Sequence, residues 1–278
     1  MIIQISDLND GRYGRFGNQL FKYFFLKIIE AEIDCEIRYP EWLGMLALNL
    51  PKTPVPVEGG SVLVIDPSLN LSLDEVLSII KEKIASGVFV IDLKGFFQFH
   101  SSEFLRFKKI FSDSVVINPM LMNQVVDAHR RIGWNNDGLV SVHVRRGDYL
   151  THKDSPKFWI ASMDSIEHTL KTIEQCSFRG KSVYVCSDDI DFCKQYFQEK
   201  EISIITADDL FKCDDDSLRL IIDFITMAIA NVNVISNSSL SFFASMLNDS
   251  ARVFLRPSPF ANCFIPYDPW NSGVLLSK

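Results

Sequence analysis

Short apolar runs alternate along this chain with longer stretches of helical period. "MIIQIS" opens as a buried strand, and a loop with Gly11, Gly14 and Gly17 leads into a helix expected from Asn18 to about Ala31. "IDCEIR" reads as the next strand, and "NLPKTPVPVEGG" (49–60) is too rich in Pro and Gly for anything but an irregular loop. "SVLVID" is a short strand. "SLDEVLSIIKEKIA" is a helix with Ser72 at its N-cap and Glu75 three residues on, the pattern of a capping box. "GVFVIDLKGFFQF" is a strand that runs into a loop.

The second half alternates more regularly. The strands "GLVSVHV", "KSVYVC", "ISIIT", "VNVIS" and "ARVFL" are separated by the helices "KFWIASMDSIEHTLKTIEQ", "DIDFCKQYFQ", "DSLRLIIDFITMAIA" and "SLSFFASMLN". Short β-branched strands between helices of this length predict an α/β protein with parallel sheets and right-handed crossovers. Two such sheets fit the length, with a boundary near residue 135 in the polar "WNNDG" loop. Parallel sheets bind ligands outside the carboxyl ends of their strands. The loops that matter are therefore "SDLNDGRYGRFGN", "RRGDY", "SDD", "TADD" and "SNSS".

Composition narrows the classes. The 278 residues are 47% hydrophobic and 23% charged, enough for one large core or two smaller ones. A formal net charge of −7 argues against binding nucleic acid, which needs a basic face, so any anion site must be built locally from a few placed arginines. No apolar run is long enough to span a bilayer, and no basic region precedes an apolar one at the N-terminus. A cytoplasmic protein is expected. Six cysteines without C-x-x-C spacing read as reduced thiols. The 22 phenylalanines read as core.

Four stretches could carry chemistry. In "LVSVHVRRGDYL" a buried strand delivers Arg145 and Arg146 to its own carboxyl end, where the two guanidinium forks match the oxygens of a diphosphate, and Asp148 is near enough to hold one in place. A salt-bridge cluster at a strand end is the alternative. "GRYGRFGNQLF" spaces its glycines as G-x-x-G-x-x-G, which is neither the dinucleotide fingerprint nor a P-loop. What remains is a turn that lets backbone approach a ligand, or a plain loop. In "ISNSSLSFFA", Asn237, Ser238 and Ser239 precede a helix whose free N–H groups suit phosphate, or simply cap it. Asp188 and Asp189 end a strand, and Asp214 with Asp216 forms a D-x-D that fits either a divalent cation or a helix start. The five histidines show no H-x-x-x-H pair and no G-x-S-x-G elbow is present, so neither a His-based metal site nor a serine hydrolase is expected.

A "G-x-GNQ-[LM]-F" loop, then "GFFQ" at 95–98, "HVRRGDY", "SDD" and "ISNSS-x-S-x-x-A", in that order, resemble the α-1,2-fucosyltransferases of glycosyltransferase family 11 along nearly the whole chain. The resemblance implies a GT-B-like pair of Rossmann-type domains whose sheets face a cleft. Residues 1–135 would then form the acceptor side and 136–278 the GDP-fucose side. It implies GDP-fucose as donor, inversion at the anomeric carbon and no metal or other cofactor. The acceptor would be a galactose-containing or lipid-linked glycan, met at the inner face of a bacterial membrane. Arg145, Asp148 and Asn18 become the catalytic candidates. Gly17, His143, Arg145, Arg146, Asp188, Asn237, Ser238 and Ser239 become the donor-binding ones, with His143 and Asp188 near the guanine. Two departures from the family pattern, Arg15–Phe16 in the glycine loop and Phe242–Phe243 for a tryptophan pair, bear on the acceptor more than the donor. The competing readings are a transferase with another acceptor or linkage, and a sugar-nucleotide-binding protein without activity.

Overall fold

A computed structural model describes residues 1–10, 14–52, 54–134, 138–152, 155–176, 182–212 and 215–278. The chain forms two compact units, Met1–Pro119 and Met120–Lys278. The first contains β1 (Ile2–Gln4), α1 (Phe16–Glu32), β2 (Glu36–Arg38), α2 (Gly44–Ala47), β3 (Ser61–Val64), α3 (Leu73–Ala85), β4 (Val90–Lys94) and α4 (Lys108–Ser114). Its four strands are parallel and lie in the order β2-β1-β4-β3. α1 is apolar on nearly all sides, so it is buried on nearly all sides. Its phenylalanines explain much of the composition: Phe25 stacks on Phe97 at 4.4 Å, and Phe24 meets Phe111 edge-on at 4.9 Å. The capping box of α3 forms as its sequence predicts, with Ser72 Oγ accepting from the Glu75 amide and Glu75 Oε2 from the Ser72 amide.

The second unit contains α5 (Pro119–Arg131), β5 (Leu139–Val144), α6 (Met163–Cys176), β6 (Ser182–Ser187), α7 (Ile190–Glu199), β7 (Ile204–Ile205), α8 (Ala207–Leu210), α9 (Asp216–Ile229), β8 (Val232–Val234), α10 (Ser239–Leu247), β9 (Val253–Pro257) and β10 (Phe264–Pro266). Five strands are parallel in the order β9-β8-β5-β6-β7, and β10 adds to the edge antiparallel to β9. β5, at the centre, is buried at all six positions, as a strand covered on both faces must be. Both units are thus Rossmann-type α/β layers. Among the described residues no helix is long and apolar enough to cross a membrane.

The structure departs from the sequence pattern in three places. α1 starts at Phe16, before Asn18. α6 starts at Met163, because Ser162 Oγ accepts from the Ser165 amide and caps it there, while Lys278 N and Trp159 Nε1 tie the preceding segment to the C-terminal tail. The division between units falls after Pro119, ahead of the "WNNDG" loop, whose residues 135–137 lie outside the described ones. α5 packs into the second unit: His129 on its last turn shares a hydrogen with Thr226 Oγ1 of α9 at 3.0 Å and sets its ring edge on Tyr184 at 5.3 Å.

Burial holds two imidazoles neutral. The pKa of His129 falls to about 4 through burial alone. That of His143 falls to about 4 through burial and then the nearby Arg145. The unfolded chain binds these protons near pH 6.5, whereas the folded chain does not until about pH 4. Stability contributed by the neutral rings is therefore lost as pH falls from 6.5 to 4. The slope should approach roughly 1.4 kcal/mol per pH unit for each ring. Urea unfolding at a series of pH values should give slopes for the wild type and His129→Phe that differ by roughly 1.4 kcal/mol per pH unit across this window. A slope unchanged by that substitution would refute the assignment.

Candidate functional site

The second sheet fixes where a site can form. Its strand order reverses between β5 and β8, and ligands of such sheets lie outside the carboxyl ends at that point. β5 ends in Arg145 and Arg146, β6 beside it in Asp188 and Asp189, and β8 in the turn that leads to α10. The three stretches singled out in the sequence therefore converge.

Asp188 organises them. Its Oδ1 accepts from the backbone N–H groups of Arg146 at 2.9 Å and Gly147 at 3.1 Å. Its Oδ2 lies 2.6 Å from Arg145 Nη1. Such an approach requires glycine at 147, since a Cβ there would fall within 2.4 Å of Asp188 Oδ2. Asp148 Oδ1 takes Arg145 Nη2 at 2.6 Å from the other side, and the guanidinium rests over the Tyr149 ring at 5.1 Å. Arg146 is held separately, with Nε on Asp189 Oδ2 at 2.9 Å and its plane over Phe192 at 3.5 Å.

Arg145 is thus clamped but not exhausted. A guanidinium has five N–H donors, and the two carboxylates take one from each terminal nitrogen. Its Nε is buried without a hydrogen-bond partner. The side chain is 15% exposed. An arriving anion would meet oriented donors, together with the N-terminus of α10, where Ser238 caps and Ser239 begins the helix.

Other expected residues are placed differently. His143 is 6% exposed, with Nδ1 2.8 Å from both Ser236 Oγ and Ser241 Oγ. Its ring is thus held through Nδ1 by two hydroxyls of the second unit. Asp188, expected near a guanine, is engaged by Arg145 and two backbone amides. Asn237 is buried and faces the protein: Nδ2 donates to Lys157 O and Leu276 O, both at 2.8 Å, and Oδ1 accepts from Leu276 N at 2.9 Å. With both donors used, it anchors the C-terminal segment and is not free for a nucleotide. Asp214 lies outside the described residues, while Asp216 pairs with Arg219 at 2.6 Å on its own helix.

In the first unit, Gly17 is inside α1, and the turn expected of it is made by Gly14, whose φ is +102°. A Cβ on Gly14 would overlap the Asn18 side chain, so the glycine makes room for that amide. Asn18 Oδ1 accepts from Gln98 Nε2 at 2.6 Å. Gln98 follows Phe97, which sits at φ +52°, an unusual conformation for a bulky residue and one held by its stack on Phe25. A charged cluster that the pattern did not reveal lies at the ends of β1 and β4. Buried Lys22 is 3.4 Å from Asp7, Lys94 is 3.2 Å from Asp7 and 3.3 Å from Asp92, and Ser6 binds Asp92 through both its amide and its hydroxyl. Burial lowers the pKa of Lys22 in spite of Asp7.

Two Rossmann-type units with an arginine pair at a strand end define a GT-B glycosyltransferase fold. Residues 88–263, well over half the chain, match glycosyl transferase family 11, and the chain belongs to that family. It is 29% identical over 136 residues to the O-antigen biosynthesis glycosyltransferase WbnK of Escherichia coli, across 48% of this chain and 42% of that one. It is 30% identical over 124 residues to an alpha-1,2-colitosyltransferase of E. coli, across 44% and 40%. The matches thus span less than half of each curated relative. Among solved structures it resembles the alpha-1,6-fucosyltransferase NodZ of Bradyrhizobium, including crystals soaked with GDP-fucose, at a TM-score of 0.58 and 11% identity over 96% of this chain and 98% of that one.

The Asn237 clamp makes a direct prediction. Asn237→Ala leaves the Leu276 amide and the Lys157 carbonyl without partners and takes one of two donors from the Leu276 carbonyl, which should cost roughly 3 kcal/mol of stability by urea unfolding. An unchanged midpoint would contradict the clamp.

Proposed function

We propose that the protein transfers fucose from GDP-fucose to a hydroxyl of an acceptor glycan, the 2-hydroxyl of a galactose, with inversion and without a metal. The observation that carries this reading is the clamped Arg145 at the switch point of the second sheet, its Nε buried and without a hydrogen-bond partner. Family membership, the O-antigen enzyme among its relatives and the GDP-fucose complex of a protein of the same fold all support it. In this reading the first unit carries the acceptor and the second the donor, and the acceptor is a free or lipid-linked glycan at the cytoplasmic face of a bacterial membrane.

The reaction is a single displacement. The acceptor oxygen bonds to the anomeric carbon from the face opposite GDP, the bond from that carbon to the phosphate oxygen breaks, and its electron pair leaves with GDP. The acceptor's proton passes to a base or to solvent. Negative charge grows on the departing diphosphate, where preorganised N–H donors stabilise the transition state more than the ground state. Arg145 supplies them, Asp148 and Asp188 hold its plane, and the α10 N-terminus adds partial positive charge. A second donor reading follows from the colitosyltransferase relative: the sugar on GDP is colitose. Competing the two nucleotide sugars in one assay separates these readings.

Arg145→Lys keeps a charge and loses the fork. Transfer should fall on the order of 10²-fold or more, since one preorganised donor is worth roughly 3–4 kcal/mol, with little change in melting temperature. Wild-type activity should survive excess EDTA. A lowered melting temperature with catalysis kept would make the cluster structural, and EDTA-sensitive activity restored by Mg²⁺ would overturn the metal-free mechanism.

Gly147→Ala tests the clamp without touching any charge. The new methyl group displaces the Asp188 carboxylate, so Arg145 loses its orientation. Calorimetry should show GDP binding weakened about tenfold, and equal affinity would remove the Asp188–Arg145 pair from the site.

A further inference from the structure

A pocket of about 110 Å³ lies in the second unit between the segment that precedes α6 and the β9–β10 turn. Its walls include Trp159, Ser162, Phe260, Asn262, Cys263 and Lys278. One wall continues from β5 through the arginine motif, and the other continues from β9, two strands away in the sheet. Both walls thus belong to segments that follow carboxyl ends of parallel strands, the edge at which Arg145 stands.

The walls are tied to each other and to the site. Ser162 Oγ donates to Asn262 Oδ1 across the pocket at 2.6 Å. Trp159 Nε1 donates to Leu276 O at 3.0 Å, and the same carbonyl accepts from Asn237, two residues before α10. Lys278 Nζ stands 4.8 Å from the Trp159 ring centroid. Phe260, at the turn, is 90% exposed, which leaves a whole aromatic face available.

These features match one ligand chemistry. Ring C–H groups pack on an aromatic face, while the Asn262 amide beside it can pair with sugar hydroxyls, as in small-ligand sites that mix apolar surface with a few placed polar groups. A cavity of about 150 Å³ holds one benzene, so this volume suits part of a single six-membered ring and not a chain. We infer that the pocket is a subsite for a hexopyranose unit of the acceptor glycan. The inference rests on the glycosyl-transfer reading and adds to it an acceptor contact from the second unit.

The test separates binding from transfer. A panel of galactose-terminated di- and trisaccharides is titrated into the protein with GDP at saturation, followed by ligand-observed NMR. At least one should bind, and Phe260→Ala should weaken it five- to tenfold while GDP affinity by calorimetry stays the same. The exposed thiol of Cys263 gives a second readout: its alkylation, followed by peptide mass spectrometry, should slow several-fold when the glycan is bound. Absence of glycan binding, equal affinity in the variant, or an unprotected thiol overturns the subsite. Transfer from GDP-fucose by the wild-type protein judges the enzymatic reading separately. If Phe260→Ala instead loses sedimentation with anionic phospholipid vesicles while glycan affinity stands, the ring serves a lipid surface and the inference fails.

Discussion

The Asp188 carboxylate is the interaction on which the site depends. It reaches from the end of β6 to the end of β5, where it accepts two backbone N–H groups and the Arg145 guanidinium. Charge-assisted bonds of this kind are among the stronger ones a fold can make. Because one oxygen holds backbone and the other holds side chain, the path of the chain after β5 and the direction of Arg145 are set together. Gly147 is the steric condition for this, since no side chain can stand between its Cα and the carboxylate.

The same economy recurs one strand over. Asn237 was expected to face a nucleotide because it stands next to Ser238 and Ser239 before a helix. Instead its amide fastens the C-terminal segment and the carbonyl of Lys157, while its own carbonyl accepts from Tyr149. Tyr149 also lies under Arg145. A motif residue can therefore act on a site without pointing into it, by holding the surface from which others project.

What could be read in the sequence divides along physical lines. Strand and helix alternation, the α3 capping box and the convergence of "RRGDY", "SDD" and "SNSS" were legible, because period, capping and strand ends are local properties of the chain. The tie of the segment before α6 to the C-terminal tail, the allegiance of α5 and the antiparallel β10 were not, since partners distant in sequence decide them. The buried Lys22–Asp7–Lys94 cluster could not be read either. Lys22 stands in an apolar helix pattern as a lone charge, and only the fold brings Asp7 and the end of β4 to it. Likewise "HVRR" looks like one run of polar groups, yet strand alternation and burial send His143 under the sheet surface and leave the arginines at its edge.

Charge bookkeeping then decides what kind of help Arg145 can give. Arg145 and Arg146 face Asp148, Asp188 and Asp189, so these five side chains carry more negative than positive charge. The cluster cannot attract a diphosphate as a simple basic patch would. What it offers is direction: hydrogens on a guanidinium whose plane two carboxylates and an aromatic ring have already fixed, in partly buried surroundings where a hydrogen bond is stronger than in water. Long-range attraction has to come from elsewhere, and the N-terminal end of α10, which follows β8 next to β5, carries no opposing carboxylate in its first turn. Orientation, and not net positive charge, is then what sets an arginine apart from a lysine at the end of β5.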